Sequence, residues 1–358
     1  MPFLIRKRLA SGLPFALSFC LFVAALRADS ITCATCHVEE GRAQPETAMA
    51  HAMELPPHQT ILRDHPFLRF QKAGYTWIIE RHGDQSTYRV SDGANEIAVP
   101  IRYAFGAHSA TFVLDYQGAL YESRVSYYQT INGLEITPGD DVVVPRTLVE
   151  ALGRRMPNEE IVVCFNCHGF APVFEGRVDL PSLTPGVQCD HCHADAQTHM
   201  RNIVRGITTS IPEPLEHKSA EDTSDFCGSC HRSWQQGMQM ALTSKGFWGP
   251  ANVRFHPYRL ANSRCFDGTD NRIRCTACHN PHQPLVRDAA SYDRNCLACH
   301  GPNGSSAAAP GREVPRSCPV STKGCVSCHM LRVKMPDSPL VFTDHQIRIA
   351  KRGDPYPN

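Results

Sequence analysis

The residues with the clearest chemistry are cysteine pairs, each followed at once by a histidine. Cys275, Cys278 and His279 form one such group, and Cys296, Cys299 and His300 form the next. The same Cys-x-x-Cys-His pattern recurs at Cys33, Cys36 and His37, at Cys164, Cys167 and His168, and at Cys189, Cys192 and His193. It occurs again at Cys227, Cys230 and His231, and at Cys325, Cys328 and His329. These seven copies use 14 of the 17 cysteines and 7 of the 18 histidines. Roughly 0.05 copies would arise by chance at this composition. Two thiols three residues apart can add to the two vinyl groups of one porphyrin, and the next residue then lies under the iron as its proximal ligand. The expected cofactor is haem c, seven times over and covalently bound. Zinc also uses thiol pairs, but nothing in a zinc site requires a histidine directly after each pair. A disulfide framework has no use for a strict repeat of this kind. His282 follows Asn280 and Pro281, three residues after His279. Proline fixes its own backbone angle and turns the preceding residue away from helix. His282 is thus directed away from the haem of His279 and towards a neighbouring one.

Export and haem attachment support each other. Residues 1–28 read as a signal peptide: Arg6, Lys7 and Arg8 precede an apolar run from Leu13 to Leu26, and Ala28 suits cleavage. Cys20 lies within that run, after a Phe19 too bulky for a lipoprotein signal. A periplasmic or extracellular location follows. No later stretch is apolar over a bilayer's width, so no membrane span is expected in the mature chain. The formal charge is +1. Losing the four cations of residues 1–28 leaves about −3, and seven oxidised haems with their propionates bring the total to about −10. With no basic run, a nucleic-acid partner is not expected.

Between the motifs, composition changes along the chain. Residues 29–74 form a first haem-binding segment, with a helix expected over Glu46 to Met53 and candidate ligands at His51 and His58. Residues 75–150 form a β-rich insert. Its strands are expected at Thr76–Glu80, Thr87–Val90, Glu96–Ile101, Ala110–Tyr116 and Ala119–Tyr128, with Gly83-Asp84, Asp92-Gly93 and Gln117-Gly118 as turns. His82 and His108 there have no motif around them, and Leu148 to Met156 reads as a short helix. Residues 151–358 carry six motifs at roughly 30 residues per haem, too few for each to build its own apolar core. The expected fold class is therefore mostly helical or irregular, a multihaem cytochrome wrapped around a haem core, with a small inserted antiparallel β unit. Gly304 to Pro310 reads as an exposed loop. Cys265 and Cys318 remain, and a disulfide between them is expected in an oxidising compartment. His256, within Arg254-Phe255-His256-Pro257-Tyr258, is a further candidate ligand, as is His217. His191, inside the Cys189 motif, reads as a solvent-edge residue. Met49, Met53, Met200, Met238, Met240, Met330 and Met335 could replace histidine on an iron, though methionine more often packs.

The chain resembles the multihaem c-type cytochrome superfamily, which includes pentahaem nitrite reductase, octahaem hydroxylamine oxidoreductase and non-catalytic electron carriers. The resemblance rests on the seven motifs, on Pro185-Gly186-Val187-Gln188-Cys189 with His199 downstream, on Asn280-Pro281-His282, and on Phe342-Thr343-Asp344-His345-Gln346-Ile347-Arg348. It covers residues 160–350 well and residues 30–150 more loosely. It implies that His199 and His345 are distal ligands. Pentahaem nitrite reductases place a lysine where the catalytic haem's proximal histidine would be; here all seven motifs end in histidine. Nothing in the sequence fixes the cross-linked tyrosine of hydroxylamine oxidoreductases. No catalytic residue is assigned.

Eleven histidines lie outside the proximal positions, enough for every haem to have two. A six-coordinate haem can only pass electrons. The expected function is an electron-transfer cytochrome working outside the cytoplasmic membrane, between a quinol-linked membrane donor and a terminal reductase or external acceptor. The alternative is a haem oxidoreductase acting on a small nitrogen or sulfur compound at one five-coordinate haem. A structural subunit of a larger cytochrome assembly is a third class.

Overall fold

In a β-strand successive side chains face opposite sides, and between Tyr75 and Ser91 the buried residues follow that spacing. The computed structural model describes residues 32–141, 143–208, 214–243, 248–301, 318–351 and 353–357. Residues 1–31, which include Cys20 and the stretch read as a signal peptide, and the stretch Gly304 to Pro310 lie outside the described residues. Nine strands form the main sheet: β1 (Met53–Glu54), β2 (Phe67–Lys72), β3 (Tyr75–His82), β4 (Gln85–Ser91), β5 (Glu96–Phe105), β6 (Ser109–Tyr116), β7 (Ala119–Tyr128), β8 (Gly133–Ile136) and β9 (Gly153–Arg155). β2 to β8 pair in chain order as an antiparallel meander, with β1 added on β5 and β9 on β7. Trp77 and Ile79 point inward from β3, and Ser86, Tyr88 and Val90 from β4.

The turns set the twist. Ala73-Gly74 joins β2 to β3 with φ of 50° and 85°, and Gln117-Gly118 joins β6 to β7 with φ of 54° and 76°. Two-residue turns with both angles positive match the right-handed twist of the strands they join. The register shifts once in β5–β6, between Ile101 and Tyr103, and once in β6–β7, between Thr111 and Val113. Such bulges bend a sheet. The curl brings the first long strand round to the last, where Lys72 Nζ meets Glu135 Oε1 at 3.1 Å. The result is a nearly closed barrel.

Its interior holds Trp77, Tyr88, Phe112, Leu114 and Val125, all buried. The helix Leu148–Leu152, capped by the Thr147 side chain, adds Ala151 and Leu152 to this cluster. The Trp77 indole N–H donates to the Ala151 carbonyl at 2.7 Å. Each fully buried large apolar side chain contributes about 1.5–3 kcal/mol. The 19 buried residues of the cluster therefore give the barrel a core of its own.

That core overturns the expected fold class. The chain is not a mostly helical or irregular wrap around a haem core with a small β insert. Its largest unit is a nine-stranded sheet that begins at Met53 and ends at Arg155, beyond the bounds of 75–150. The five strands expected from sequence are present. β1, β2, β8 and β9 are added because pairing, not local pattern, makes them strands. The helix expected over Glu46 to Met53 is a 3₁₀ turn at Gln44–Glu46 followed by bends and β1, and Gly153–Arg155 leaves helix to pair with β7.

The rest of the described chain is short helices, the longest being Ala220–His231, with three two-stranded sheets. A second, small cluster joins Ala241, Phe255 and Tyr258. Among the described residues no helix is long and apolar enough to cross a membrane. Cys265 and Cys318 are not joined by a disulfide in the structure.

Candidate metal centre

Each cysteine pair lies on a turn of helix. Four of these are the short helices Cys33–Cys36, Cys189–Cys192, Cys275–Cys278 and Cys325–His329. The other three pairs end the helices Asn158–His168, Ala220–His231 and Asp293–His300. Residues three apart on a helix share a side, so the two thiols of a motif emerge together with the histidine just beyond them. All 14 motif thiols are half-buried or exposed, and none is oxidised to a disulfide.

Four motif histidines face a second histidine ring. His37 faces His199 with ring centres 6.4 Å apart, and His193 faces His282 at 6.0 Å with the planes only 9° apart. His231 faces His256 at 6.3 Å, and His279 faces His345 at 6.2 Å. An imidazole bound through one nitrogen has its ring centre about 3.1 Å from the metal, so two on opposite sides of one iron stand about 6.2 Å apart. The four separations fit that spacing, and in each pair one member follows a thiol pair while the other does not. No family model, curated protein or solved structure matches the chain. Among the described residues no three His, Cys, Asp or Glu side chains gather as a protein-only metal site. A haem iron takes only two protein ligands, because the porphyrin supplies the other four.

Hydrogen bonds orient several rings. His168 Nδ1 donates to the Ala52 carbonyl at 2.7 Å, His329 Nδ1 to the Arg348 carbonyl at 2.9 Å, and His345 Nδ1 to the Thr343 carbonyl at 3.0 Å. A carbonyl only accepts, so Nδ1 holds the proton and Nε2 keeps its lone pair, the arrangement of a metal-ligating histidine. Burial lowers the pKa of His168, His193, His231 and His279, lowers His256 further, and brings His345 to about 4. These rings are thus neutral near pH 7, as ligation requires.

The remaining candidates are placed elsewhere. His51 Nδ1 bonds Glu54 at 2.7 Å rather than facing a motif histidine, and His58 is exposed beside it. His65 bonds the Tyr127 hydroxyl at 2.9 Å, His217 lies exposed next to Glu216, and His82 and His108 are exposed on the barrel. His191 is not at the solvent edge. Its Nδ1 accepts from the Gln188 amide at 2.9 Å, its ring packs edge-on to Phe170, and its Nε2 is buried without a partner. His168 is stacked on Phe105 at 4.7 Å.

The motifs touch one another. Cys33 lies close enough to Cys189 to shift its ionisation, as do Cys167 and Cys230, Cys227 and Cys275, and Cys296 and Cys325. Cys192 lies close enough to Cys227 and Cys230, and Cys278 to Cys296, to oppose its neighbour's ionisation. The seven motifs form one continuous series. The Cys33, Cys189, Cys227, Cys275, Cys296 and Cys325 motifs follow in order, and the Cys164 motif branches from the Cys227 motif. The barrel is tied to this series at Ala52, whose carbonyl accepts from both the Gly106 amide and His168. Gly186 packs beside it with φ of 74°, where a Cβ would stand 1.8 Å from the Ala50 carbonyl oxygen.

Sequence reasoning missed Arg259 and Asp344. Both are buried, and the Arg259 Nε and Nη2 each donate to one Asp344 oxygen at 2.9 Å. Arg259 stands just after the quoted segment around His256, and Asp344 inside the segment around His345. Neither segment carries a local sign that it meets the other.

Proposed function

We propose that the chain is a seven-haem c-type electron carrier working outside the cytoplasmic membrane. The observation that carries this reading is the set of four histidine pairs at 6.0–6.4 Å, each made of one motif and one non-motif histidine. Bound haem supplies a one-electron Fe(III)/Fe(II) couple. The chain's own residues do the rest. The 14 motif cysteines anchor, and His37, His168, His193, His231, His279, His300 and His329 are the proximal ligands. His199, His282, His256 and His345 would supply the second ligand of the iron shared with the motif histidine each one faces, with His51 a remaining candidate. The thiol contacts between motifs keep the anchoring points of successive groups together, as a relay needs. The partners of such a relay are redox proteins, a quinol-linked membrane donor and a terminal reductase or external acceptor.

Two measurements on the mature protein test this. Intact mass after denaturation is expected to exceed the apo-chain by seven haems, because thioethers survive unfolding. A count of five or fewer would refute the reading. The EPR spectrum of the oxidised protein is expected to be low-spin. One observation favours the second reading, an oxidoreductase with an open haem: the His168 ring is stacked on Phe105 rather than facing another histidine. A high-spin signal that binds nitrite or hydroxylamine would support that enzyme over the carrier.

A further inference from the structure

We infer that the buried Arg259–Asp344 ion pair is a positioning device that presses His256 against His345 and so joins two iron centres into one coupled unit. The inference rests on the haem-carrier reading above. His256 faces His231 at 6.3 Å and His345 faces His279 at 6.2 Å, while His256 and His345 stand only 4.4 Å apart. The two non-motif rings thus lie between two centres and touch each other.

These rings come from distant parts of the chain. His256 opens the helix His256–Ala261, and Arg259 lies one turn further along it. His345 follows the strand Val341–Thr343, with Asp344 directly before it. A guanidinium with two parallel bonds to a carboxylate fixes orientation as well as distance. The other arginine donors are also used, Nη1 on the Pro357 carbonyl at 2.8 Å and on Asn252 Oδ1 at 3.3 Å, and Nη2 on Gln346 Oε1 at 2.6 Å. Ser263 closes the frame, donating to the His345 carbonyl at 3.1 Å and accepting from the Ile347 amide at 2.8 Å. A buried ion pair is often no more stabilising than apolar side chains of the same volume. What this one supplies is the placement of two backbones, each within three residues of a ring in the contact.

The test uses the full holo-protein with Asp344→Asn, Asp344→Glu and the double variant Arg259→Met/Asp344→Leu. The readouts are denatured intact mass, EPR of the oxidised form and a redox titration followed optically. All variants are expected to carry the wild-type number of covalent haems, since no motif residue is changed. Asp344→Asn leaves the Arg259 charge unbalanced beside the two rings. It is expected to raise the midpoints of two haems by about 59 mV or more, a tenfold change for a one-electron couple, and to leave the others in place. The double variant restores charge balance but releases the rings, so the low-spin EPR lines of two haems broaden. Asp344→Glu keeps the charge and brings the midpoints back towards wild type. A purely structural role would lower the melting temperature without moving two midpoints. Full haem content with wild-type midpoints and EPR lines in both Asp344→Asn and the double variant would overturn the inference alone. A wild-type protein without covalent haem would remove the carrier reading beneath it.

Discussion

His282→Ala is the sharpest single perturbation of the ligand pairs. His193 and His282 are the most nearly parallel of the four, at 6.0 Å and 9°. The His282 ring is presented by a short turn in which the His282 amide donates to Asn280 Oδ1 at 2.9 Å, with Pro281 between. On the haem-carrier reading, replacing the ring by a methyl group removes one iron ligand and leaves the 14 motif thiols in place. With seven motifs, one iron in seven is affected. The oxidised protein is expected to gain a high-spin EPR component worth one seventh of its iron. The reduced protein is expected to bind one more carbon monoxide per chain than wild type. The midpoint of that haem is expected to rise, because loss of a basic imidazole disfavours the ferric state. Covalent haem content by mass is expected to stay the same. His191→Ala is the control: that ring is nearly buried, but its Nδ1 accepts from the Gln188 amide and it faces no motif histidine, so the variant's spectrum is expected to match wild type. A His282→Ala protein with an all-low-spin spectrum and no added ligand binding would refute the pairing with His193.

The other predictions concern the frame. Trp77→Phe removes the donor to the Ala151 carbonyl and leaves that oxygen buried, which is expected to cost about 2–4 kcal/mol with the cavity included; denaturant titration checks this, and a loss under about 0.5 kcal/mol would contradict the assigned bond. Gly186→Ala and Gly176→Ala both place alanine at φ of 74°, but only at Gly186 does the new Cβ meet backbone, so Gly186→Ala is expected to be less stable by on the order of 3 kcal/mol. Burial raises Asp140 to about 6, opposed by Arg124. The folded state then binds more protons than the unfolded state between about pH 4 and pH 6, so this group's contribution to stability falls as pH rises through that window and is flat above it. Asp140 is partly exposed, which reduces the effect to about 1 kcal/mol. The gain in stability of Asp140→Asn over wild type is thus expected at pH 7 and not at pH 4, read from melts at both.

The seven motifs were legible as motifs, because five residues carry their own chemistry, and the structure sets each thiol pair on a turn of helix. Five strands were legible for a similarly local reason, runs rich in strand-forming residues bounded by the turn pairs Gly83-Asp84, Asp92-Gly93 and Gln117-Gly118. The size of the sheet was not. β2 carries Arg69, Gln71 and Lys72 among its apolar residues and becomes a strand by pairing with β3, and β8 is four residues that earn their place only beside β7. Reading the interval between motifs as a small insert therefore underestimated a barrel with its own core. His199, His256, His282 and His345 were named from sequence, but which motif histidine each one faces depends on long-range packing. Arg259 and Asp344 lie 85 residues apart and look like ordinary surface charges until the fold brings them together.

The order of the histidine pairs along the chain has a mechanical consequence. The pair His37–His199 spans the whole barrel, His193–His282 begins before that span ends, and His279–His345 begins before the second span ends. On the haem-carrier reading, with iron between each pair, these would be three overlapping clasps, and no peptide bond from residue 37 to residue 345 would lie outside all of them. A protease that nicks the native protein once within that range would leave two pieces still fastened by metal, which separate only when the iron is stripped or the fold is denatured.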